Sequence, residues 1–189
     1  MTEVRSIYDA YMQRTPGGFS DLPVKRDVLG DPIQRAKAFP FALFGPTPYT
    51  MVKNDKISRE LVRTGASIAP PDRTTNGVDW TEFQYKGRET AYDRWMELHG
   101  TVRIQGRTLR QQLERTIRSK EYQLLSLTGA DEVDSPRVRV LRNIVGTYRA
   151  KAKNLVLREI PELADAVAVA RYNEQALRRP GATIEDLIR

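Results

Sequence analysis

Glu89, Asp93 and Glu97 recur every four residues, a spacing that on a helix stacks three carboxylates along one face. Carboxylates held that close can share a proton or ligate a divalent cation. Arg88 and Arg94 sit among them and relieve the charge through neighbouring pairs, so the ladder reads as an exposed face with no catalytic or metal assignment. His99 is the single histidine and falls where the same helix is expected to end. A cation suits that end of the helix dipole, and a cap or packing role outweighs that of a general base lacking a nucleophile and an orienting partner. Gly17-Gly18 lacks the lysine and hydroxyl of a phosphate loop, and the chain contains no Gly-x-Ser-x-Gly elbow. There is no cysteine, which removes thiolate metal sites, disulfides and a thiol nucleophile, and fits a reducing compartment. Trp80, Trp95, Phe83 and Tyr92 have the faces to stack bases, but their spacing suits a core better. No cofactor is implied. A hydrolase built on Glu89 and Asp93, acting for instance on cell wall, ranks behind every binding function.

The chemistry that the chain does offer is positive charge. Residues 101–159 hold 13 Lys/Arg against 6 Asp/Glu, and the rest of the 189 residues balance 18 against 18. A pI near 9.8 permits association with nucleic acid or an acidic surface. Arg139, Arg142, Arg149 and Lys153 fall within one helical quadrant, and no acidic residue interrupts their helix before Glu159. Arg137, Lys151 and Arg158 lie elsewhere on that helix's surface. Arg110 and Arg118 lead the basic residues of the preceding helix. Such a face can neutralise phosphates without reading sequence, or pair with carboxylates of another subunit.

Several elements must position these groups. Val4, Ile7, Tyr8 and Tyr11 give a helix over 3–14 that stops at Thr15-Pro16-Gly17-Gly18. Prolines then interrupt residues 15–53, with aromatics among them. Phe39, Phe41, Phe44 and Tyr49 mark an extended arm that docks on this chain's core or on a neighbour. A short helix over 55–64 places Ile57, Leu61 and Val62 inward and stops at Gly65. Asn76-Gly77 signals a tight hairpin. Thr81 to Leu98 reads as a helix closed by His99-Gly100, and Val102 with Ile104 as a second small hairpin element. Thr108-Leu109-Arg110-Gln111 is a capping box opening a helix with Leu109, Leu113, Ile117 and Leu124 inward. Ser135-Pro136 opens a helix to Glu159 whose seam is Val138, Leu141, Val145, Tyr148, Ala152 and Leu155. Pro161 opens the next helix, and Pro180-Gly181 breaks it. The expected fold is mainly α, an arm followed by a small helical domain with at most a short β-hairpin. Its parts are an N-terminal helix and arm over 1–53, a connector over 54–80 and a helical domain over 81–189.

The order of segments carries a resemblance. Arg59-Glu60-Leu61-Val62-Arg63-Thr64-Gly65 runs into Ile68-Ala69-Pro70-Pro71-Asp72-Arg73-Thr74, then Gly77-Val78-Asp79-Trp80-Thr81 and Tyr92-Asp93-Arg94-Trp95-Met96-Glu97-Leu98. Arg107 to Glu114, Ile160-Pro161-Glu162-Leu163, and the earlier Leu22-Pro23-Val24-Lys25-Arg26-Asp27 and Leu29 to Ile33 complete it. The pattern resembles the C-terminal region of large internal virion, ejection or tape-measure-type proteins of tailed bacteriophages, and it covers most of the chain. Here the segment stands as a chain beginning with Met, a separate virion component or a fragment of a longer one. The resemblance transfers no catalytic residue. It implies a non-enzymatic virion structural protein, internal, ejection- or tail-associated, assembled in the host cytoplasm. Its partners would be other phage virion proteins and copies of itself, with double-stranded DNA as a further contact. The alternative is a free-standing basic helical DNA-binding protein. Residues 1–10 have no signal-peptide core, and no apolar run approaches the roughly 20 residues of a membrane helix, so a soluble chain is expected.

Overall fold

The computed structural model describes residues 24–33, 55–126 and 135–177. These residues form a mainly α structure of six helices and two small antiparallel hairpins. The helix expected over 3–14, the arm aromatics Phe39, Phe41, Phe44 and Tyr49, the 128–134 loop and the C-terminal 183–189 turn lie outside the described residues.

Helix α1, Lys56–Thr64, begins at Asp55, whose carboxylate accepts from the Ser58 amide. It ends at Gly65 with φ 67°, and the amides of Gly65 and Ala66 return to the carbonyls of Val62 and Leu61. That double closure needs the left-handed residue glycine supplies. Ile57 is buried as expected and Leu61 packs on the core, but Val62 is 83% exposed, and Glu60 takes an inward place.

Strands β1 (Thr74–Thr75) and β2 (Val78–Asp79) pair Thr74 with Asp79 and Thr75 with Val78. Asn76 and Gly77, both at positive φ, turn between them as the Asn-Gly signal requires. The helix expected from Thr81 is corrected here. Gln84–Lys86 and Glu89–Thr90 form a second hairpin, β3 and β4, around Gly87 at φ 55°. Helix α2 begins only at Ala91 and runs to Thr101. Thr90 and Asp93 form its capping box, a local start signal that the spacing of Phe83, Tyr92, Trp95 and Met96 ran past. His99-Gly100 does not end the helix. Gly100 lies in its last turn because the Gly30 backbone presses there: a Cβ on Gly100 would sit 2.9 Å from the Gly30 carbonyl group.

Ile104 and Arg107 bridge across Gln105 and Gly106, both at positive φ. The Thr108–Gln111 capping box opens α3, Leu109–Arg118. Ser119 is extended, ends α3 and caps α4, Lys120–Leu124, by accepting from the Tyr122 amide. That break turns Leu124 outward, to 86% exposure, and puts Tyr122 in the core instead. Helix α5, Pro136–Glu159, starts with Ser135 as N-cap and Pro136 at its first position. Helix α6, Pro161–Leu177, follows at once.

The core has two parts. In one, Leu113, Leu109, Ile57, Leu29 and Tyr122 pack around Val138, Leu141, Val145 and Tyr148 of α5. In the other, Trp80, Tyr92, Trp95, Met96 and Leu163 pack around Ala152 and Val156. Helix α5 thus runs through both, and its buried stripe shifts from the expected Leu155 to Val156. A straight helix of 3.6 residues per turn drifts off a strict heptad seam over this length. The connector residues Ile57, Ala66 and Trp80 belong to these same two clusters. Among the described residues, no helix is long and apolar enough to cross a membrane.

Candidate functional site

The candidate basic face is built on α5. Its buried residues lie on one side, and Arg139 and Arg142 stand exposed on the other, with Lys151 and Arg158 further along. No carboxylate interrupts the helix before Glu159. On the neighbouring α3, Arg115 is exposed, and Arg118 is exposed while pairing with Glu114 at 3.5 Å. The structure places these six cations at solvent.

It does not keep the quadrant of four together. Arg149 and Lys153 share the helical sector of Arg139 and Arg142, yet both turn inward. The reason is tertiary: α2, the first hairpin and the 66–72 loop cover the C-terminal half of α5, and the N-terminal half lacks that cover. Arg149 donates through Nη2 to the Ala69 carbonyl, and its Nε is buried with no hydrogen-bond partner among the described residues. Burial pulls its pKa below the usual guanidinium value. Lys153 lies 5.6 Å from the centre of the Trp80 ring and 3.4 Å from Thr75 Oγ1, and burial lowers its pKa too.

Arg110 is also turned to internal use. It donates to Asp31 at 2.9 and 2.6 Å and pairs with Asp55, the N-cap of α1. One guanidinium therefore ties the 27–31 turn and the start of α1 to α3. Burial opposes its charge, but the hydrogen bonds to Asp55 and Asp31 outweigh that and raise its pKa. Burial likewise opposes the Asp55 charge, and the Ser58 and Arg110 hydrogen bonds overcome it and hold the carboxyl low.

Arg137, expected on the surface, is buried. It donates to the carbonyls of Leu125 and Gln123 and reaches Glu60 at 3.4 Å, with its guanidinium carbon 5.2 Å from the Tyr122 ring centre. Glu60 accepts as well from Tyr122 Oη at 2.9 Å and from both sides of the Arg63 fork at 2.8 and 2.9 Å. Burial raises the Glu60 pKa, but these donors win and hold it below the ordinary carboxylate value, while burial and the same carboxylate push Tyr122 up. The signal for this network was present. Ile57, Glu60, Leu61 and Thr64 share one helical face, so a carboxylate on that face demands a buried partner.

The acidic ladder is dispersed. Glu89 lies on β4, off the helix. Asp93 accepts from the Thr90 amide at 2.8 Å and its hydroxyl at 2.9 Å, and so serves the cap. Glu97 pairs with Arg94 at 2.7 Å and with Arg26 at 3.9 Å, and Arg94 also forks onto Glu159 at 2.7 and 3.0 Å. Among the described residues, no group of His, Asp and Glu could hold a metal ion. His99 is fully buried, and neither ring nitrogen has a hydrogen-bond partner among those residues. Burial, aided by the Arg149 charge, lowers its pKa to about 4, so it packs as a neutral ring rather than capping as a cation. The aromatics are core: Trp80 and Trp95 have ring centres 4.7 Å apart, Tyr92 meets Trp95 edge-on, and Trp95 Nε1 donates to the Arg149 carbonyl at 3.1 Å.

Besides an open depression on α3 lined by Gln111, Glu114, Arg115, Arg118 and Ser119, two others bear charged walls among the described residues. One lies between residues 24–26, the 70–73 loop and α2, with Lys25, Arg26, Arg73 and Asp93 at its walls. The other is a shallow, largely apolar groove of about 260 Å³ where α4 ends and α5 begins, lined by Leu125, Pro136, Arg139, Val140 and Asn143.

No protein-family model, curated protein or solved structure matches this chain.

Proposed function

We propose that the chain is a non-enzymatic structural component of a tailed-bacteriophage particle, working through contacts with other virion proteins and with its own copies. The exposed cations of α5, Arg139, Arg142, Lys151 and Arg158, carry this reading. With Arg115 and Arg118 of α3 they belong to the basic surplus that stays at solvent once Arg110, Arg137, Arg149 and Lys153 have gone into the fold. A cationic face of that kind meets carboxylates of a neighbouring subunit or the phosphates of packaged DNA. The resemblance of the segment order to internal and ejection-type virion proteins supplies the setting. Phe39, Phe41, Phe44 and Tyr49 are the docking contacts of the arm in the same reading.

Particles banded by density from a lysate of the host carrying this coding sequence should contain the chain at a constant number of copies. Tryptic peptides from the arginine-rich helices would report it. A chain found in the soluble lysate and missing from the banded particles sinks the reading.

A further inference from the structure

We infer that copies of this chain join head to tail, the outer face of α6 of one copy seating on the groove at the α4–α5 junction of the next. This rests on the assembly reading above and names its surfaces. Helix α6 is unevenly covered. Leu163 is fully buried and Val167 packs on the second core cluster, so one side of the helix is taken. On the other side Glu162, Asp165, Val169 and Tyr172, spaced three, four and three residues apart, are all exposed. Val169 is 60% exposed and Tyr172 45%. These four positions form one continuous stripe about 15 Å long, two carboxylates followed by a valine and a tyrosine. Over Pro161–Leu177 the acids Glu162, Asp165 and Glu174 outnumber the one base, Arg171.

The groove is its chemical complement. Leu125, Pro136 and Val140 give an apolar floor, and Arg139 and Asn143 stand at its wall. Exposed Leu124 lies next to it in the chain, and exposed Arg142 one turn along from Arg139. The apolar pair of α6 fits the floor, and its carboxylates fit the arginines, in the segment whose excess of 13 Lys/Arg over 6 Asp/Glu equals the net charge of the chain. The match cannot close within one molecule. The groove is at the N-terminal end of α5, and α6 leaves the C-terminal end, about 36 Å away, where it packs on α5 and β2. A contact between two different faces propagates, as a ring if the rotation closes and as a filament if it does not.

Sedimentation velocity of the full chain over a concentration series, in low and in physiological salt, reads this directly. The wild type should form a series of oligomers that shrinks as salt rises. Asp165→Arg with Tyr172→Arg removes one face, and Arg139→Ser with Arg142→Ser removes the other without creating a charge swap; all four positions are exposed, and circular dichroism checks that the variants fold. Each double variant alone should be at least tenfold weaker in self-association. Mixed in equal amounts, they should form a one-to-one pair and nothing larger, because only one intact junction exists between them. A monomeric wild type at all concentrations overturns the inference, as does a closed two-fold dimer that the mixture fails to restore. Capture of a labelled DNA duplex by Arg139 and Arg142 without self-association overturns it in favour of nucleic acid. None of these results touches membership of the particle, which the banding experiment decides separately.

Discussion

His99 is the residue whose chemistry is most displaced from its ordinary state. An imidazole with no exposed surface and no partner for either nitrogen among the described residues must stay neutral, because protonation would place a cation beside Arg149 with nothing to solvate it. Its folded pKa of about 4 lies below the ordinary 6.5, so the unfolded chain binds the proton first. The stability it contributes is full above the unfolded value and is lost as pH falls towards 4. Between about pH 7 and about pH 5 the loss is about 2 kcal/mol. Denaturant midpoints at the two pH values should show it in the wild type and lose most of it in His99→Leu. Equal midpoints in the wild type would refute the assignment. Asp55, Glu60 and Glu159, each held below its usual value, add to acid sensitivity only lower down. Glu60 and Arg137 illustrate a different logic. Their pair is nearly solvent-free, and such a pair resists removal of one member far more than it adds to stability as a unit.

At the scale of elements, short chemical signals outperformed long periodicities. The Thr108 and Ser135 caps, the Gly65 stop and the Asn76-Gly77 turn all form where the residues dictate, because each is closed by atoms within a few residues. The failure over 81–90 has the same explanation turned around. Apolar spacing ran on from Phe83 to Tyr92, while the local signal, Gly87 at positive φ between two short strands, ended the helix before it began. The contact between Gly30 and Gly100 belongs to this scale too. The 27–31 turn lies backbone to backbone on α2, and neither glycine can carry a Cβ without displacing main chain. Gly100→Ala should therefore cost more than a typical surface-helix change, where alanine would stabilise by about 1 kcal/mol relative to glycine. Thermal melting would show a lowered midpoint, and an unchanged or raised one would mean that the two segments part freely.

On the scale of the whole molecule, α5 is the common member of both core clusters. Loss of packing in one should be felt in the other, since the same 24-residue helix must move. Both tryptophans sit in the second cluster, which makes their fluorescence a local probe there. Leu141→Ala empties a fully buried site in the first cluster and should cost about 2–5 kcal/mol. Tryptophan fluorescence and far-ultraviolet circular dichroism should shift together in that variant. A fluorescence transition that stays at the wild-type midpoint would mean the clusters unfold separately.

The sequence by itself determined the mainly α character, the helix starts and stops with local caps, the Asn-Gly hairpin and the concentration of positive charge in one segment. Those follow from interactions among residues close along the chain, or from composition alone. Which cations face solvent was decided only by the tertiary structure. Arg142 and Arg149, seven residues apart, occupy the same helical sector, and nothing in the spacing separates them. A helix has one orientation, but its neighbours cover it unevenly, so the 66–72 loop and α2 bury one guanidinium and leave the other exposed. Arg110 and Arg137 were absorbed by carboxylates 55 to 79 positions away in the chain: Asp31, Asp55 and Glu60 meet them only after the chain has folded, because charge pairs across such separations depend on packing and not on sequence distance.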